Sequence, residues 1–142
     1  MKVLIAEDDP NTREGLREIL EAEGYEVLTV PDGQKALETY RAEKPQVLCL
    51  DIMMPQVNGY DVCREIRRTD PRTPILFISA KSEEIDKVLG LEIGADDFIV
   101  KPFGVKEVIA RIRAVTRRTL AESPASDKPR DYSFIMDELR VV

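Results

Sequence analysis

The chain has 142 residues, enough for one domain with a real core. Its formal net charge is −6, so taken whole it is no polycation for nucleic acid. It contains no histidine, which excludes Ser-His-Asp and Cys-His catalysis, His-based zinc sites and an imidazole general base. Any chemistry falls to carboxylates, lysine, hydroxyls or a bound ion.

Apolar runs alternate with helical patterns five times. Lys2 to Ala6 (KVLIA) predicts a first strand, and Asn11 to Glu23 a helix with Leu16, Ile19 and Leu20 in one stripe. Asp9-Pro10 suits the start of that helix, as cap and first-turn proline, and Gly24 its end. Glu26 to Val30 (EVLTV) is the second strand; Pro31-Asp32-Gly33 turns into a helix over Gln34 to Glu43. Val47 to Leu50 is the third strand, with Asp51 at its end and the turn signal Asn58-Gly59 ahead of a helix over Gly59 to Thr69. Ile75 to Ser79 (ILFIS) is the fourth strand. Its helix runs from Glu83 to Ile93, capped by Ser82. Phe98 to Val100 is the fifth strand, and Val105 to Thr119 the last helix.

Strands 1, 3 and 4 are near-continuous apolar runs, as in a parallel sheet covered on both faces. The alternation predicts a doubly wound α/β sandwich, whose ligands sit outside the carboxyl ends of the strands at the switch point. Cys49 and Cys63 form no Cys-x-x-Cys pair and read as core. No apolar run is long enough to span a bilayer, and the N-terminus reads as a strand, so a reducing cytoplasmic setting is expected. From Lys101 to Arg118 the basic residues Lys101, Lys106, Arg111, Arg113, Arg117 and Arg118 face a lone acid, Glu107. After Leu120 the composition turns to Ala, Ser, Pro and charge. The expected organisation is a domain over 1–120, a linker over 121–131 and, at Tyr132 to Val142, the start of a further, truncated unit.

The strand ends carry the chemistry. Strand 1 ends in Glu7-Asp8-Asp9, strand 3 in Asp51, strand 4 in Ser79 and strand 5 in Lys101. Carboxylates from strands 1 and 3 would repel unless a cation joined them. Hard oxygen ligands without histidine point to Mg²⁺ or Mn²⁺. Glu7, Asp8, Asp51 and Lys101 together carry a formal charge of about −2, which one divalent ion would cancel.

This pattern resembles the receiver domain of two-component response regulators. The resemblance covers about residues 1–120: the acidic pair after strand 1, Asp51 followed by Met53-Met54-Pro55 and then Gly59, Ser79-Ala80, and Lys101-Pro102-Phe103. The run Gly94 to Phe103 (GADDFIVKPF) looks like the OmpR/PhoB-like subgroup, whose receivers are joined to winged-helix DNA-binding domains. The resemblance implies a flavodoxin-like sheet of order 2-1-3-4-5 and a cytoplasmic signalling role. It implies no enzyme beyond the domain's own phosphoryl transfer and slow self-dephosphorylation. Asp51 matches the phosphoacceptor, Asp8 the direct Mg²⁺ ligand and Glu7 the partner that binds through water. Met53 matches the residue that lends a backbone carbonyl to the metal. Lys101 matches the lysine that contacts the phosphoryl group, through a cis bond to Pro102. Ser79 matches the switch hydroxyl, which would move toward the phosphoryl group. Phe98 matches the switch aromatic, which would turn inward behind it. The implied partners are a sensor histidine kinase, a second copy after phosphorylation, and DNA through a domain beyond Val142. The implied dimer face offers Lys87, Glu92, Asp96 and Asp97 against Glu107, Arg111 and Arg113, mixed signs that suit a two-fold contact.

Other classes fit less well. An aspartate-nucleophile phosphatase of the haloacid dehalogenase type needs a second Asp two residues after the nucleophile, where this chain has Met53. A flavodoxin-like FMN binder needs a hydroxyl- and Gly-rich loop after strand 1, where Glu7-Asp8-Asp9 would repel a phosphate. A DNA-binding module would need a helix-turn-helix that these residues do not contain.

Overall fold

The computed structural model describes residues 1–80 and 84–121. The expected cap Ser82, the linker after Ala121 and the segment Tyr132 to Val142 lie outside the described residues. The elements run β1 (Lys2–Ala6), α1 (Pro10–Ala22), β2 (Glu26–Val30), α2 (Gly33–Glu43), β3 (Val47–Asp51), α3 (Gly59–Arg67), β4 (Ile75–Ser79), α4 (Glu84–Ile93), β5 (Asp97–Val100) and α5 (Val105–Ala121). All strands pair in parallel, in the order β2-β1-β3-β4-β5. The doubly wound α/β sandwich read from the sequence is the fold.

Alternation along the strands sorts the core into two layers. Val3 and Ile5, Val47 and Cys49, and Leu76 and Ile78 pack with Leu16 and Leu20 of α1 and with Val108, Ile112 and Val115 of α5. Leu4 and Ala6, Leu48 and Leu50, and Ile75 and Phe77 pack on the other face with Ala36 of α2 and with Val62, Cys63 and Ile66 of α3. Every residue of β3 and β4 is buried, which is why their sequences are continuous apolar runs. Each fully buried Leu or Ile contributes about 1.5–3 kcal/mol. Both cysteines are buried and free, and burial pushes their thiols up to about 12 for Cys49 and about 11 for Cys63. They serve as small apolar fillers.

Helix starts follow the caps. Asp9 accepts from the Thr12 backbone N–H at 3.1 Å, Asp32 from Lys35 at 2.8 Å, and Asn58 from Asp61 at 2.9 Å. Several boundaries shift by one or two residues from the sequence reading: α1 spans Pro10–Ala22, α2 begins at Gly33 and α5 reaches Ala121. β3 extends to Asp51, which pairs with Ile78, and β5 begins at Asp97, which pairs with Leu76. α3 stops at Arg67, before the expected Thr69. Its end tightens, with the Thr69 and Asp70 N–H groups both donating to the Ile66 carbonyl, and Asp70 then caps the next turn by accepting from Arg72 and Thr73.

Gly15 lies inside α1, and a Cβ added there would meet no atom within 4 Å. Gly15→Ala is therefore expected to raise unfolding stability by roughly 0.5–1 kcal/mol in urea titration. An unchanged or lower midpoint would contradict this packing of α1.

Candidate functional site

Strand register brings the acids together. Ala6 pairs with Leu50, so the residues that follow, Glu7 and Asp51, leave the sheet side by side. Both are sealed, Glu7 at 1% exposure and Asp51 at 3%, whereas Asp8 is exposed. Carboxylate oxygens of Glu7, Asp8 and Asp51 all lie within 4.8 Å of one another. The Lys101 ammonium stands 3.0 Å from Glu7 Oε1 and 3.4 Å from Asp51 Oδ2. Lys101 is delivered from the end of β5, where its backbone N–H donates to the Ser79 carbonyl at 2.8 Å; the Lys101-Pro102 bond is cis.

The two buried carboxylates are each partly held by main chain. Asp51 Oδ1 accepts from the Met53 N–H at 3.1 Å. Glu7 Oε2 accepts from the Asp9 N–H at 3.1 Å, and the Glu7 carbonyl accepts from the Arg13 guanidinium at 2.9 Å. Glu7 Oε1 faces the Lys101 ammonium at 3.0 Å and is held by no main-chain donor among the described residues. Burial is the main force that pushes the Glu7 carboxyl up to about 7, and the adjoining Asp51 carboxylate adds to it; Lys101 and the Asp9 N–H pull the other way. For Lys101, burial lowers its pKa, but Glu7 and Asp51 outweigh that and hold it above its ordinary value. One ammonium therefore does not balance three acids. The three clustered carboxylates and the all-oxygen donor set fit a hard divalent ion such as Mg²⁺.

The other expected residues fall around this cluster. Ser79 is fully buried at the end of β4. Met53 is 59% exposed beside the acids. Phe98 is buried and meets the Phe77 ring edge-on at 6.3 Å between centroids. It already occupies the inward position, so an outward-to-inward turn does not start from this conformation.

The residues expected on a dimer face are largely engaged within the chain. Arg111 bonds Asp97 at 2.9 Å and Glu107 at 3.1 Å, Arg113 reaches Glu23 beyond α1 at 2.7 Å, and Asp96 accepts from Arg67 at 3.1 Å and from the Ile75 N–H at 2.9 Å. Lys87 and Glu92 are exposed. Sequence reasoning did not single out Arg67, which also donates to the Gly94 and Asp70 carbonyls and so ties α3 to the loop before β5. It also passed over Val88 and Leu91, exposed on α4 three residues apart, a spacing that places both on one side of the helix.

Fold and site together define a doubly wound domain with a cluster of acids and one lysine at its switch point. The chain belongs to the response regulator receiver domain family, whose profile matches residues 3–113. It is 43% identical to the alkaline phosphatase synthesis transcriptional regulatory protein PhoP of Bacillus subtilis, over 99% of this chain and 60% of that protein. It is 44% identical to the DNA-binding response regulator MtrA of Mycolicibacterium smegmatis, over 96% of this chain and 57% of that protein. The chain thus spans about three-fifths of the length of these curated relatives. Among solved structures it resembles the BeF3-activated N-terminal receiver domain of Klebsiella pneumoniae RstA, with a TM-score of 0.79 and 32% identity over 82% of this chain and 99% of that one. No described helix is long and apolar enough to cross a membrane.

The Glu7 environment predicts a pH dependence in metal-free protein. The folded-state value, about 7, lies above the ordinary 4.5, so the contribution of this group is complete below about pH 4.5 and is lost as pH rises through about 7. Urea unfolding in chelator is expected to show wild type losing on the order of 2–3 kcal/mol between pH 5 and 8 relative to Glu7→Gln. Parallel curves for the two proteins would contradict it.

Proposed function

We propose that this domain takes a phosphoryl group from a phosphohistidine on a sensor kinase onto Asp51, and that the modified surface controls transcription through a DNA-binding domain C-terminal to it. The observation that carries the reading is the buried pair Glu7 and Asp51 held at one strand end with Lys101 across both. The transfer forms a bond from an Asp51 oxygen to phosphorus and breaks the phosphorus–nitrogen bond of the donor. A carboxylate nucleophile needs no general base, which suits a chain without histidine. Asp51 Oδ1 is held by the Met53 N–H, which fixes the direction of attack. Lys101 would pass from its two carboxylates to the oxygens of the incoming group. Glu7, Asp8, Asp51 and the Met53 carbonyl would hold Mg²⁺, which when bound supplies charge stabilisation to the phosphoryl oxygens. Water reaching that same phosphoryl group gives slow self-dephosphorylation and no turnover of other phosphoesters.

The output follows from charge added at a buried point. Ser79, whose carbonyl already joins it to Lys101, would donate to a phosphoryl oxygen, and the shift would bias α4, β5 and α5 between two arrangements. Val88 at 46% and Leu91 at 50% exposure give α4 an apolar stripe for a two-fold contact, with Lys87 and Glu92 beside it. The charged residues Asp97, Glu107 and Arg111 would exchange their in-chain bonds for bonds to the second copy. Such surface exchanges are close to neutral in energy, so the apolar stripe supplies the driving force.

Two outcomes are expected. With acetyl phosphate and Mg²⁺, wild type is labelled and Asp51→Asn is not; equal labelling of both would end the acceptor assignment. Beryllofluoride with Mg²⁺ raises the dimer fraction in sedimentation, and Leu91→Lys removes the increase. An unchanged sedimentation profile after confirmed loading would contradict the dimer reading.

A further inference from the structure

The loop from Ile52 to Asn58 is walled by two glycines. A Cβ added to Gly59 would lie 2.5 Å from the Asp51 carbonyl oxygen and 2.9 Å from Ile52 Cα. A Cβ added to Gly33 would lie 1.9 Å from the Val57 carbonyl oxygen and 2.8 Å from its carbon. These are main-chain atoms, so no side-chain rotation relieves the clash. Gly59 was legible as part of the turn. Gly33 was legible only as part of the Pro31-Asp32-Gly33 turn: it opens α2, belongs to no acid or phosphate motif, and its φ is outside the left-handed region. What position 33 requires is space for Val57.

The loop transmits what happens at Val57. Its backbone is folded into short turns, with Val57 N–H donating to Pro55 at 2.8 Å, Met54 to Ile52 at 3.2 Å and Gly59 to Ile52 at 3.0 Å. Gln56, between Pro55 and Val57, sits at φ 69°, a conformation a non-glycine residue keeps only when its surroundings impose it. At the near end, the Met53 N–H holds Asp51 Oδ1. The segment therefore has little slack between the start of α2 and the acceptor carboxylate.

We infer that Gly33 is a positioning residue for the acceptor site: by lacking a side chain it lets the first turn of α2 bear on Val57 and hold the Met53 main chain against Asp51. This rests on the phosphoacceptor reading of Asp51 and extends it to a residue outside the acid cluster. Alanine at 33 would have to push the Val57 carbonyl away by more than about 1 Å to reach van der Waals separation. Displacements of that size are large for a metal and nucleophile site.

The test is Mg²⁺ binding to the unphosphorylated protein by calorimetry, with acetyl phosphate labelling alongside. Gly33→Ala is compared with wild type and with Gly15→Ala, a glycine whose added Cβ meets nothing. The expected result is a folded Gly33→Ala protein whose Mg²⁺ Kd rises at least about tenfold and whose labelling slows, while Gly15→Ala matches wild type. If Gly33→Ala does not fold, Gly33→Ala with Gln56→Gly replaces it, since glycine at φ 69° lets the loop yield; Gln56→Gly alone is then the reference, and the same loss is expected. A folded variant that binds Mg²⁺ within twofold of its reference would overturn the proposal. So would failure of both Gly33 variants to fold, which would assign Gly33 to the fold instead. Loss of Mg²⁺ affinity in Gly33→Ala, with wild type unlabelled at Asp51, would support the positioning role and sink the phosphoacceptor reading.

Discussion

Glu7 and Asp51 leave adjacent, directly paired strands with almost no access to water, and much of the site is arranged around that contact. Two carboxylates confined at this distance disfavour joint ionisation. Lys101 offsets part of the cost, and burial still drives the Glu7 carboxyl up to about 7. A half-compensated acid cluster is a site prepared for more positive charge. The order β2-β1-β3-β4-β5 makes it, because β1 and β3 pair at the point where the strand order reverses.

The surrounding elements act as a frame for that cluster. β5 supplies Lys101 and is tied to β4 through the Ser79 carbonyl, so acid, hydroxyl and ammonium share one rigid edge. The loop after β3 is pinned from both sides, by Gly59 against the Asp51 carbonyl and by Gly33 against Val57. At the opposite end of the sheet Arg67 joins α3 to the loop before β5, and Tyr40 of α2 donates to Asp70. The Asp70 carboxyl is held down to about 2: burial opposes this, but the bonds from Thr73 and Tyr40 prevail.

The fold was legible because its rules are local. Continuous apolar runs at β1, β3 and β4, the cap at Asp9, the turn signals at Asp32-Gly33 and Asn58-Gly59, and short loops leave few topologies open. The acids and Lys101 were legible as strand ends, and the structure brings Glu7, Asp8, Asp51 and Lys101 together. What escaped depends on contacts far apart in sequence. Nothing beside Gly33 announces Val57, and nothing beside Arg67 announces Asp96. The pairing of Arg111 with Asp97 was read as available to a second copy because charge signs in a sequence do not say which partner is nearest. Phe98 was read by its role in the resembled family, and its inward packing on Phe77 is a property of the core that the motif does not carry.

The central claim is that Asp51 itself takes the phosphoryl group. The most direct measurement is to treat the protein with acetyl phosphate and Mg²⁺, reduce any acyl phosphate with borohydride, and map the modified residue by peptide mass spectrometry. The account predicts homoserine at position 51 and at no other aspartate. Modification at Asp8 or Asp9 with Asp51 intact, or a phosphoryl group found only on a hydroxyl such as Ser79, would contradict it.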